Sequence, residues 1–413
     1  MDGAGSRFLP YGRQLIDEAD IAAVAAVLRS PYLTTGPAVA DFERKLAAMV
    51  GAPYAISCAN GTAALHLACL ALGLGPGDAA IVPAITFLAT ANAPRMTGAE
   101  IVFADVDAAS GLMQPSHLED AIVRAEKTGL RVRAVLPVHL AGHCADLPAL
   151  AGLARAHGIA IVEDACHALG GGYRHGDSGF VPVGACRDSD IAVFSFHPVK
   201  NATTGEGGAI TTRDPALADR IACLRSHGMV REPERFRCER MGFDPSGAPH
   251  PWYYEMAEIG WNYRLSDIHA ALGTSQLGKL ERYIVERGRL ATLHDAALAA
   301  LAPWVVPIAR SPDCRPGWHL YPVLIDFAGL GIGRGALMRD LAGRGIGTQV
   351  HYIPVCRQPY YRSRYGAIEL PGAESYYART LSLPLFVGMT RRDIDHIAAA
   401  LADAVAKAPV TRQ

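Results

Sequence analysis

Short apolar segments alternate with helical segments through the first half of this chain. The apolar segments are nearly continuous, whereas the segments between them repeat their apolar residues at helical spacing. Such strands are typical of a parallel sheet with helices on both faces, so the pattern predicts an α/β fold. The predicted strands are 54–58, 79–84, 101–106, 133–140 and 159–165, and the predicted helices are 61–72, 86–96, 116–127 and 146–157.

The second half of the chain has a different pattern. A long helical pattern covers 265–301, and the later segments 319–327, 335–344, 347–355 and 391–406 indicate a smaller α+β unit. Because 413 residues suggest more than one domain, we predict a large domain over 1–275 and a small domain over 276–413. Residues 230–256 are polar, rich in Pro and Gly, and aperiodic, which predicts a long loop.

Ligands of parallel sheets bind beyond the carboxyl ends of the strands, so residues that follow a predicted strand are site candidates. Gly61 and Thr62 open a helix whose N–H groups could bind an anion, although an ordinary helix cap looks the same. Phe87 could cover a flat ligand or simply pack in the core. Asp164 ends an apolar strand, where a buried carboxylate needs a compensating donor or cation, as a structural salt bridge would also supply.

Lysine is scarce, with five lysines among 39 basic residues. Lys200 follows an apolar strand in an irregular segment rich in Thr and Gly, where desolvation would favour the neutral, nucleophilic amine. The other four lysines fit solvated surfaces or helix ends. They are Lys45, Lys127, Lys279 and Lys407.

Composition excludes several classes of protein. The formal net charge of -1 argues against general electrostatic binding of nucleic acid. No apolar run approaches the ~20 residues that a membrane-spanning helix needs. The N-terminus has no secretory pattern and the nine cysteines form no CxxC pair, so we expect a cytoplasmic protein with reduced thiols. No metal is expected at His139, His143 and Cys144, because the first histidine ends a strand rather than lying on a helix.

One cofactor uses all four strand-end features. Pyridoxal 5'-phosphate needs donors for its phosphate, an apolar face for its ring, an acid for its pyridine nitrogen and a lysine for its aldehyde. The anion site at Gly61, the ring of Phe87, the carboxylate of Asp164 and the amine of Lys200 match these needs in turn.

Five motifs resemble the DegT/DnrJ/EryC1/StrS family of fold-type I sugar aminotransferases. The resemblance runs from PYGRQ at 10–14 to LSLPLF at 381–386, which is nearly the whole chain. It implies a mostly parallel sheet with helices on both faces, followed by a smaller α+β domain. The motifs are NGTAALHLA at 60–68, PAITFLATANA at 83–93, VEDACHALG at 162–170, FSFHPVKNATTGEGG at 194–208 and GWNYRLSDIHAALG at 260–273.

The resemblance implies a role for each matching residue. Lys200 would bind the cofactor aldehyde and move the reaction's proton, Asp164 would pair with the pyridinium nitrogen, and His167 would lie beside the ring. Phe87 would cover the other ring face. The phosphate would be bound by Gly61, Thr62, Ala63 and Ser195, and by Asn262 of a neighbouring subunit, which implies an obligate homodimer. The implied substrate-binding residues are Tyr11, Tyr32, Leu33, Thr34, Trp318, His319, Leu320 and Tyr321.

Within the family, the chain most resembles the branch that acts in pseudaminic acid synthesis. The implied reaction is amination of a nucleotide-linked 4-keto-6-deoxysugar at C4, with glutamate as the amino donor and UDP-2-acetamido-2,6-dideoxy-β-L-arabino-hexos-4-ulose as the expected acceptor. Ala63 departs from the hydroxyl residue common in that branch. The alternatives are another nucleotide-sugar 3- or 4-aminotransferase of the family, a sugar dehydratase, and a protein that binds the cofactor without turnover. Lys200 speaks against dehydration, because the related dehydratases carry histidine there.

Overall fold

The computed structural model describes residues 8–408. Fifteen strands and fifteen α-helices occur in this part of the chain. The strands are β1 Tyr54–Cys58, β2 Asp78–Pro83, β3 Glu100–Ala104, β4 Arg131–Val135, β5 Ala160–Asp164, β6 Gly172–Arg174, β7 Phe180–Pro182, β8 Ile191–Ser195, β9 Gly208–Thr212, β10 Met229–Val230, β11 Glu255–Met256, β12 Val305–Pro307, β13 Cys314–Arg315, β14 Tyr321–Ile325 and β15 Thr380–Leu383.

The α-helices bury apolar residues against the sheets, and several begin at a residue whose side chain caps the first turn, as at Asp17, Asn60 and Thr390. They are α1 Glu18–Leu28, α2 Pro37–Val50, α3 Gly61–Ala71, α4 Leu88–Met96, α5 Pro115–Lys127, α6 Leu147–Ala156, α7 Pro215–Arg225, α8 Glu239–Gly242, α9 Asp267–Leu277, α10 Leu280–Leu298, α11 Phe327–Leu330, α12 Arg334–Gly343, α13 Pro359–Tyr365, α14 Pro371–Arg379 and α15 Arg391–Ala406.

Seven strands form the central sheet in the order β1-β9-β8-β5-β4-β2-β3. Only β9 is antiparallel to its two neighbours, β1 and β8, and the other pairings in this sheet are parallel. The predicted α/β class with a mostly parallel sheet is therefore confirmed. Because six of the seven strands run in the same direction and end at one edge, the residues that follow them are brought together there.

Both faces of the central sheet are buried. In β2, Ala80 and Val82 enter the core cluster on one face, while Ala79 and Ile81 enter the cluster on the other. Helices α3, α4 and α7 contribute to the first cluster, and α2, α5, α6 and α9 to the second. This double burial is the physical reason that the strands read as continuous apolar runs instead of alternating ones.

A second, smaller antiparallel sheet in the order β12-β14-β15 lies in the C-terminal part of the chain. Its core cluster is formed with α10, α12 and α15, and Leu9 of the N-terminal segment joins it. Tyr361 and Tyr376 of α13 and α14 instead pack into the core of the large sheet. The C-terminal part therefore covers the edge of the large sheet as well as building its own core.

The long helical pattern at 265–301 forms two helices rather than one. Helix α9 ends at Leu277, and the N–H of Gly278 donates to the carbonyls of Thr274 and Ser275 before α10 begins. Glycine has a low helix propensity, which favours a break there. The predicted domain boundary after residue 275 lies within the last turn of α9, close to the break at Gly278.

Two other predicted segments differ in detail. The segment 347–355 forms no strand and contributes a single bridge between Gln349 and Ser382. The loop at 230–256 is mostly irregular, but the β10–β11 ladder closes it at its base and the short α8 lies within it. Among residues 8–408, no helix combines the length and apolar character needed to cross a membrane.

Candidate active site

A cavity of about 920 Å³ lies at the carboxyl ends of the central strands. It lies between the start of α3, the ends of β5 and β8, and the segment around Tyr352 from the C-terminal part. Ten of the predicted site residues line it. They are Tyr11, Gly61, Thr62, Ala63, Phe87, Asp164, His167, Ser195, Lys200 and His319.

The N-terminus of α3 forms one wall of this cavity. Asn60 caps the helix, and its Oδ1 accepts a hydrogen bond from the Ala63 N–H at 2.8 Å. The first-turn N–H groups of Gly61 and Thr62 have no partner within the helix and can therefore serve an anion, together with the hydroxyls of Thr62 and Ser195. The Ala63 N–H, in contrast, is already used by the cap.

Close packing holds this wall in place. A Cβ at Gly61 would lie 3.0 Å from the Cβ of Ser195, so the helix start and the end of β8 approach closely only because residue 61 has no side chain. Gly208 of β9 presses on the same turn, since a Cβ there would overlap the carbonyl oxygen of Asn60.

Asp164 ends β5 as a buried carboxylate with two neutral donors. Thr90 Oγ1 donates to Asp164 Oδ2 at 2.6 Å, and the Cys166 N–H donates to Oδ1 at 3.2 Å. Thr90 and Thr86 also share a hydrogen bond of 2.7 Å. Both donors are uncharged, so the structural salt bridge considered from the sequence is not formed at Asp164 within the described residues. A positively charged group bound in the cavity would provide an ionic partner for the Asp164 carboxylate.

Lys200 lies in the turn after β8 and lines the same cavity. Burial lowers the pKa of its amine, and the nearby Cys166 and Asp164 oppose this shift. A lowered pKa increases the fraction of neutral amine that can act as a nucleophile or base.

The other lysines have structural explanations. Lys45 Nζ donates to the Thr274 carbonyl at 2.8 Å. Lys127 and Lys407 are exposed. Lys279, predicted on a solvated face, is instead largely buried and paired with Asp17 and Asp20 of the N-terminal segment. That pairing depends on the tertiary packing of α1 against α9 and α10, which the spacing of residues on the helix did not reveal.

His167 contacts the cavity through a defined ring orientation. Its Nδ1 accepts from the Ala141 N–H at 3.3 Å, and its Nε2 lies 3.1 Å from the hydroxyl of Tyr352. Burial, with the charges of Lys200 and His351, lowers the pKa of His167 well below its usual range. A neutral ring that accepts at Nδ1 carries its proton on Nε2, so His167 donates to Tyr352.

Several cavity residues were not predicted from the sequence. Thr90 orients Asp164, while Tyr352 contacts both His167 and, at 6.0 Å between ring centroids, Phe87. His351 is buried, and burial lowers its pKa to about 3. Thr90 follows Thr86 by about one helical turn, a spacing that could have predicted a hydrogen bond between the two side chains. The segment that contains His351 and Tyr352 has no periodic pattern of apolar residues, so the sequence did not indicate that these two residues line the cavity.

Seven predicted residues lie away from the cavity in this chain. Tyr32, Leu33, Thr34 and Asn262 are exposed at the surface. Leu320 and Tyr321 are core residues at 1% exposure each, and the Tyr321 hydroxyl donates to Asp295 at 2.5 Å. Trp318 packs edge-on against His143, with ring centroids 5.1 Å apart. In the described residues, no three His, Cys, Asp or Glu side chains are grouped as metal ligands.

Comparisons with known proteins agree with this geometry. The spore coat polysaccharide biosynthesis protein SpsC of Bacillus subtilis (strain 168) is 37% identical over 403 residues, 97% of this chain and 98% of that protein. The structure of Helicobacter pylori PseC, an aminotransferase involved in the biosynthesis of pseudoaminic acid, superimposes with a TM-score of 0.85 at 28% identity, covering 97% of this chain and 100% of that one.

A third similar structure is a putative sugar aminotransferase, Spr1654 from Streptococcus pneumoniae, solved in its PLP form. It has a TM-score of 0.83 and 28% identity, and it covers 97% of this chain and 99% of that one. The sequence profile of the DegT/DnrJ/EryC1/StrS aminotransferase family matches residues 14–402. With its sheet, its lysine-bearing turn and its full-length match, the chain belongs to the DegT/DnrJ/EryC1/StrS aminotransferase family.

Proposed function

We propose that this protein is a pyridoxal-phosphate-dependent aminotransferase that transfers the amino group of glutamate to C4 of a nucleotide-linked 4-keto-6-deoxysugar. The observation that carries the proposal is the meeting of Lys200, Asp164 and the N-terminus of α3 in one cavity. These three groups come from distant parts of the chain, and each matches a different functional group of the cofactor.

The residues present fit pyridoxal phosphate. The open N–H groups of Gly61 and Thr62 suit a phosphate, and Asp164 is buried with neutral donors but without a cation. The amine of Lys200 is within the same cavity, and the ring of Phe87 forms part of its wall. When bound, the cofactor supplies an electron sink for cleavage of a C–H bond next to the amino nitrogen.

The chain's own groups would hold and move the proton. Lys200, with its lowered pKa, can accept a proton from the donor amino acid and return one to the sugar carbon. Asp164 would keep the ring nitrogen of the cofactor protonated, and Thr90 fixes the orientation of that carboxylate. His167 and Tyr352 form a neutral hydrogen-bonded pair on the cavity wall, which restricts the position of a bound ring.

Similarity to PseC and SpsC supports a sugar acceptor. The expected substrate is UDP-2-acetamido-2,6-dideoxy-β-L-arabino-hexos-4-ulose. Tyr11 and His319 are at the cavity and are assigned to the sugar. A cavity of about 920 Å³ has room for both a cofactor and part of a sugar nucleotide.

A homodimer is part of the proposal. Asn262 and the segment Tyr32 to Thr34 are exposed in one chain, as expected of residues that serve the neighbouring subunit's site. An exposed asparagine could complete the phosphate site of a second copy without any change in the fold of its own chain.

The decisive experiment offers the cofactor-loaded protein a panel of UDP- and dTDP-linked 3-keto and 4-keto sugars with glutamate. Formation of 2-oxoglutarate and NMR of the product would identify the acceptor and the aminated carbon. We expect amination at C4 of the UDP-linked 4-keto sugar, and none with Lys200→Ala. Amination at C3, or of dTDP-sugars alone, would contradict the assignment.

A further inference from the structure

A second cavity, of about 390 Å³, lies where residues 107–114 and 144–148 face residues 309–314. Two cysteines line it, the buried Cys144 and the partly exposed Cys314. The Cys144 thiol donates to the Gly172 carbonyl at 3.3 Å, while Cys314 is paired in β13 with the adjacent Tyr173 of β6. The two side chains are therefore held side by side, although 170 residues separate them in sequence.

The surroundings of Cys314 favour its thiolate. The Cys144 N–H donates to Cys314 Sγ at 3.0 Å, and the buried ring of His143 lies next to the same sulfur. Neither ring nitrogen of His143 has a hydrogen-bond partner elsewhere within the described residues. The contact with Cys144, aided by His143, lowers the pKa of Cys314, whereas the same contact and burial raise the pKa of Cys144.

The other thiols of the chain lack these features. Burial raises the pKa of the thiol in six of these cysteines. These are Cys58, Cys69, Cys166, Cys186, Cys223 and Cys356. Cys238 is the most exposed cysteine, and its N–H donates to Glu255. Cys314 combines partial exposure, a second cysteine whose N–H donates to its sulfur, and a neighbouring imidazole ring.

We propose that Cys314 and Cys144 form a thiol-modification site for low-molecular-weight disulfides, with Cys314 as the attacking residue and Cys144 as the resolving residue. The Cys314 sulfur bonds to one sulfur of the disulfide, whose S–S bond breaks and releases one thiol after proton uptake. Cys144 then loses its proton, bonds to the Cys314 sulfur and releases the second thiol. The protein loses two protons and two electrons, and the small disulfide gains them as two thiols.

The resulting bond would join two segments that hold the proposed active site. Gly317 N–H donates to the Gly142 carbonyl at 2.9 Å, and His319 N–H donates to the Ala141 carbonyl at 3.0 Å. Cys144 and Cys314 lie at the other end of these paired segments, three and five residues from Ala141 and His319, respectively. The modification site thus borders the segment that places His319 in the large cavity.

The test treats the full-length, cofactor-loaded protein with oxidised glutathione at neutral pH, followed by acid quenching, alkylation, digestion and mass spectrometry. We expect a peptide pair linked through Cys144 and Cys314. Cys144→Ser should accumulate glutathione at Cys314, and Cys238→Ser, the matched control, should form the linked pair at the wild-type rate. A glutathione adduct at Cys238 with Cys314 still reduced would overturn the proposal, as would a stable adduct at Cys314 in the wild type.

A second measurement needs no variant. The rates of alkylation of Cys314 and Cys238 by iodoacetamide are followed by mass spectrometry from pH 6 to pH 8. Because the pKa of Cys314 is lowered, its thiolate should already predominate at pH 6, and its alkylation rate should change little between pH 6 and pH 8. Slower alkylation of Cys314 than of Cys238 at pH 6 would overturn its assignment as the attacking thiol.

Discussion

At the residue scale, the most informative positions are those where a polar side chain follows an apolar strand. Asp164 and Lys200 were identified in this way, and the structure brings both into the same cavity. The hydroxyl group that orients Asp164 was not predicted. It belongs to Thr90, which lies within a helix and not at the end of a strand. Strand ends mark where a group enters a site, but the partners of that group come from any element that packs nearby.

Replacement of Lys200 by alanine should abolish turnover. Among residues 8–408, Lys200 carries the only amine that lines the cavity, so the absorbance band of the lysine-bound cofactor should disappear while the far-ultraviolet circular dichroism stays unchanged. Lys127→Ala, at an exposed helix end, is the matched control and should keep both the band and the activity. Turnover at the wild-type rate in Lys200→Ala would refute the role of this amine.

Asp164→Asn should bind the cofactor but react slowly. Loss of the carboxylate removes the group that would keep the cofactor's ring nitrogen protonated, and we expect single-turnover rates to fall by about a hundredfold or more. Thr90→Val removes one hydrogen bond to the same carboxylate and should cost about tenfold.

The control for Thr90 is Thr97→Val, because Thr97 caps the other end of α4 and its hydroxyl donates to the Pro94 carbonyl. Stopped-flow absorbance with glutamate alone measures the half-reaction without the sugar. If Thr90→Val and Thr97→Val react equally fast, Thr90 has no positioning role.

At the element scale, the N-terminus of α3 is the best-defined part of the site. Its sequence, Asn60 followed by Gly61 and Thr62, indicated a helix cap and an anion site, and the structure contains the cap. The sequence did not reveal that the cap uses the Ala63 N–H, or that Gly208 from the antiparallel β9 presses on the same turn. Those contacts depend on the order of strands in the sheet.

Gly208→Ala should weaken cofactor binding. The added methyl group would overlap the Asn60 carbonyl and approach the Gly61 nitrogen to 2.9 Å, so the helix start must shift. Overpacking of this kind costs about 1–3 kcal/mol, which predicts a loss of cofactor affinity of about tenfold. Gly152→Ala in α6, where a Cβ meets nothing within 4 Å, is the control. Titration of the cofactor-free protein with pyridoxal phosphate measures both, and equal affinities would contradict the prediction.

At the scale of the whole molecule, the α/β class was predictable because burial on both faces of a sheet leaves a continuous apolar signal. The approximate positions of α5, α6 and α15 were predictable for a similar reason, since a helix with one buried face repeats its apolar residues every three or four positions. The small antiparallel sheet and the segment 347–355 were harder to predict, because their strands are short and depend on pairing with distant residues.

Stability should depend on the charge state of buried histidines. His294 is fully buried, its Nε2 is 3.0 Å from the Pro384 carbonyl, and burial lowers its pKa to about 4. The unfolded chain takes up this proton near pH 6.5, so stability is present above that pH and is lost as the pH falls towards 4. The slope from one such group is about 1.4 kcal/mol per pH unit.

Urea unfolding at pH 7.5, 6.0 and 5.0 tests this dependence. His294→Gln should reduce the loss of unfolding free energy between pH 6.0 and pH 5.0, while His157→Gln, at an exposed position, should leave it as in the wild type. An unchanged pH dependence in His294→Gln would show that protonation of this ring does not contribute.

Subunit complementation tests the proposed homodimer. If Asn262 serves the neighbouring site, Lys200→Ala and an Asn262→Ala variant of low activity should each be poor catalysts alone. Mixed dimers, formed by dissociation and reassociation, would contain one site with both residues intact and should regain activity. Sedimentation velocity verifies that the variants remain dimeric, and a mixture no more active than its components would contradict a shared site.

The sequence by itself determined the class of the fold and the chemical character of the candidate site, because continuous apolar strands and the residues that end them are local features. Only the tertiary structure decided which groups meet. The order of the strands brings the start of α3 next to the end of β8, and the packing of the C-terminal part brings Tyr352 onto His167. The tertiary structure also pairs Lys279 with Asp17, and it places the Cys144 N–H within hydrogen-bond distance of the Cys314 sulfur. These contacts link residues far apart in the chain, and such pairings leave no period or spacing in a single sequence.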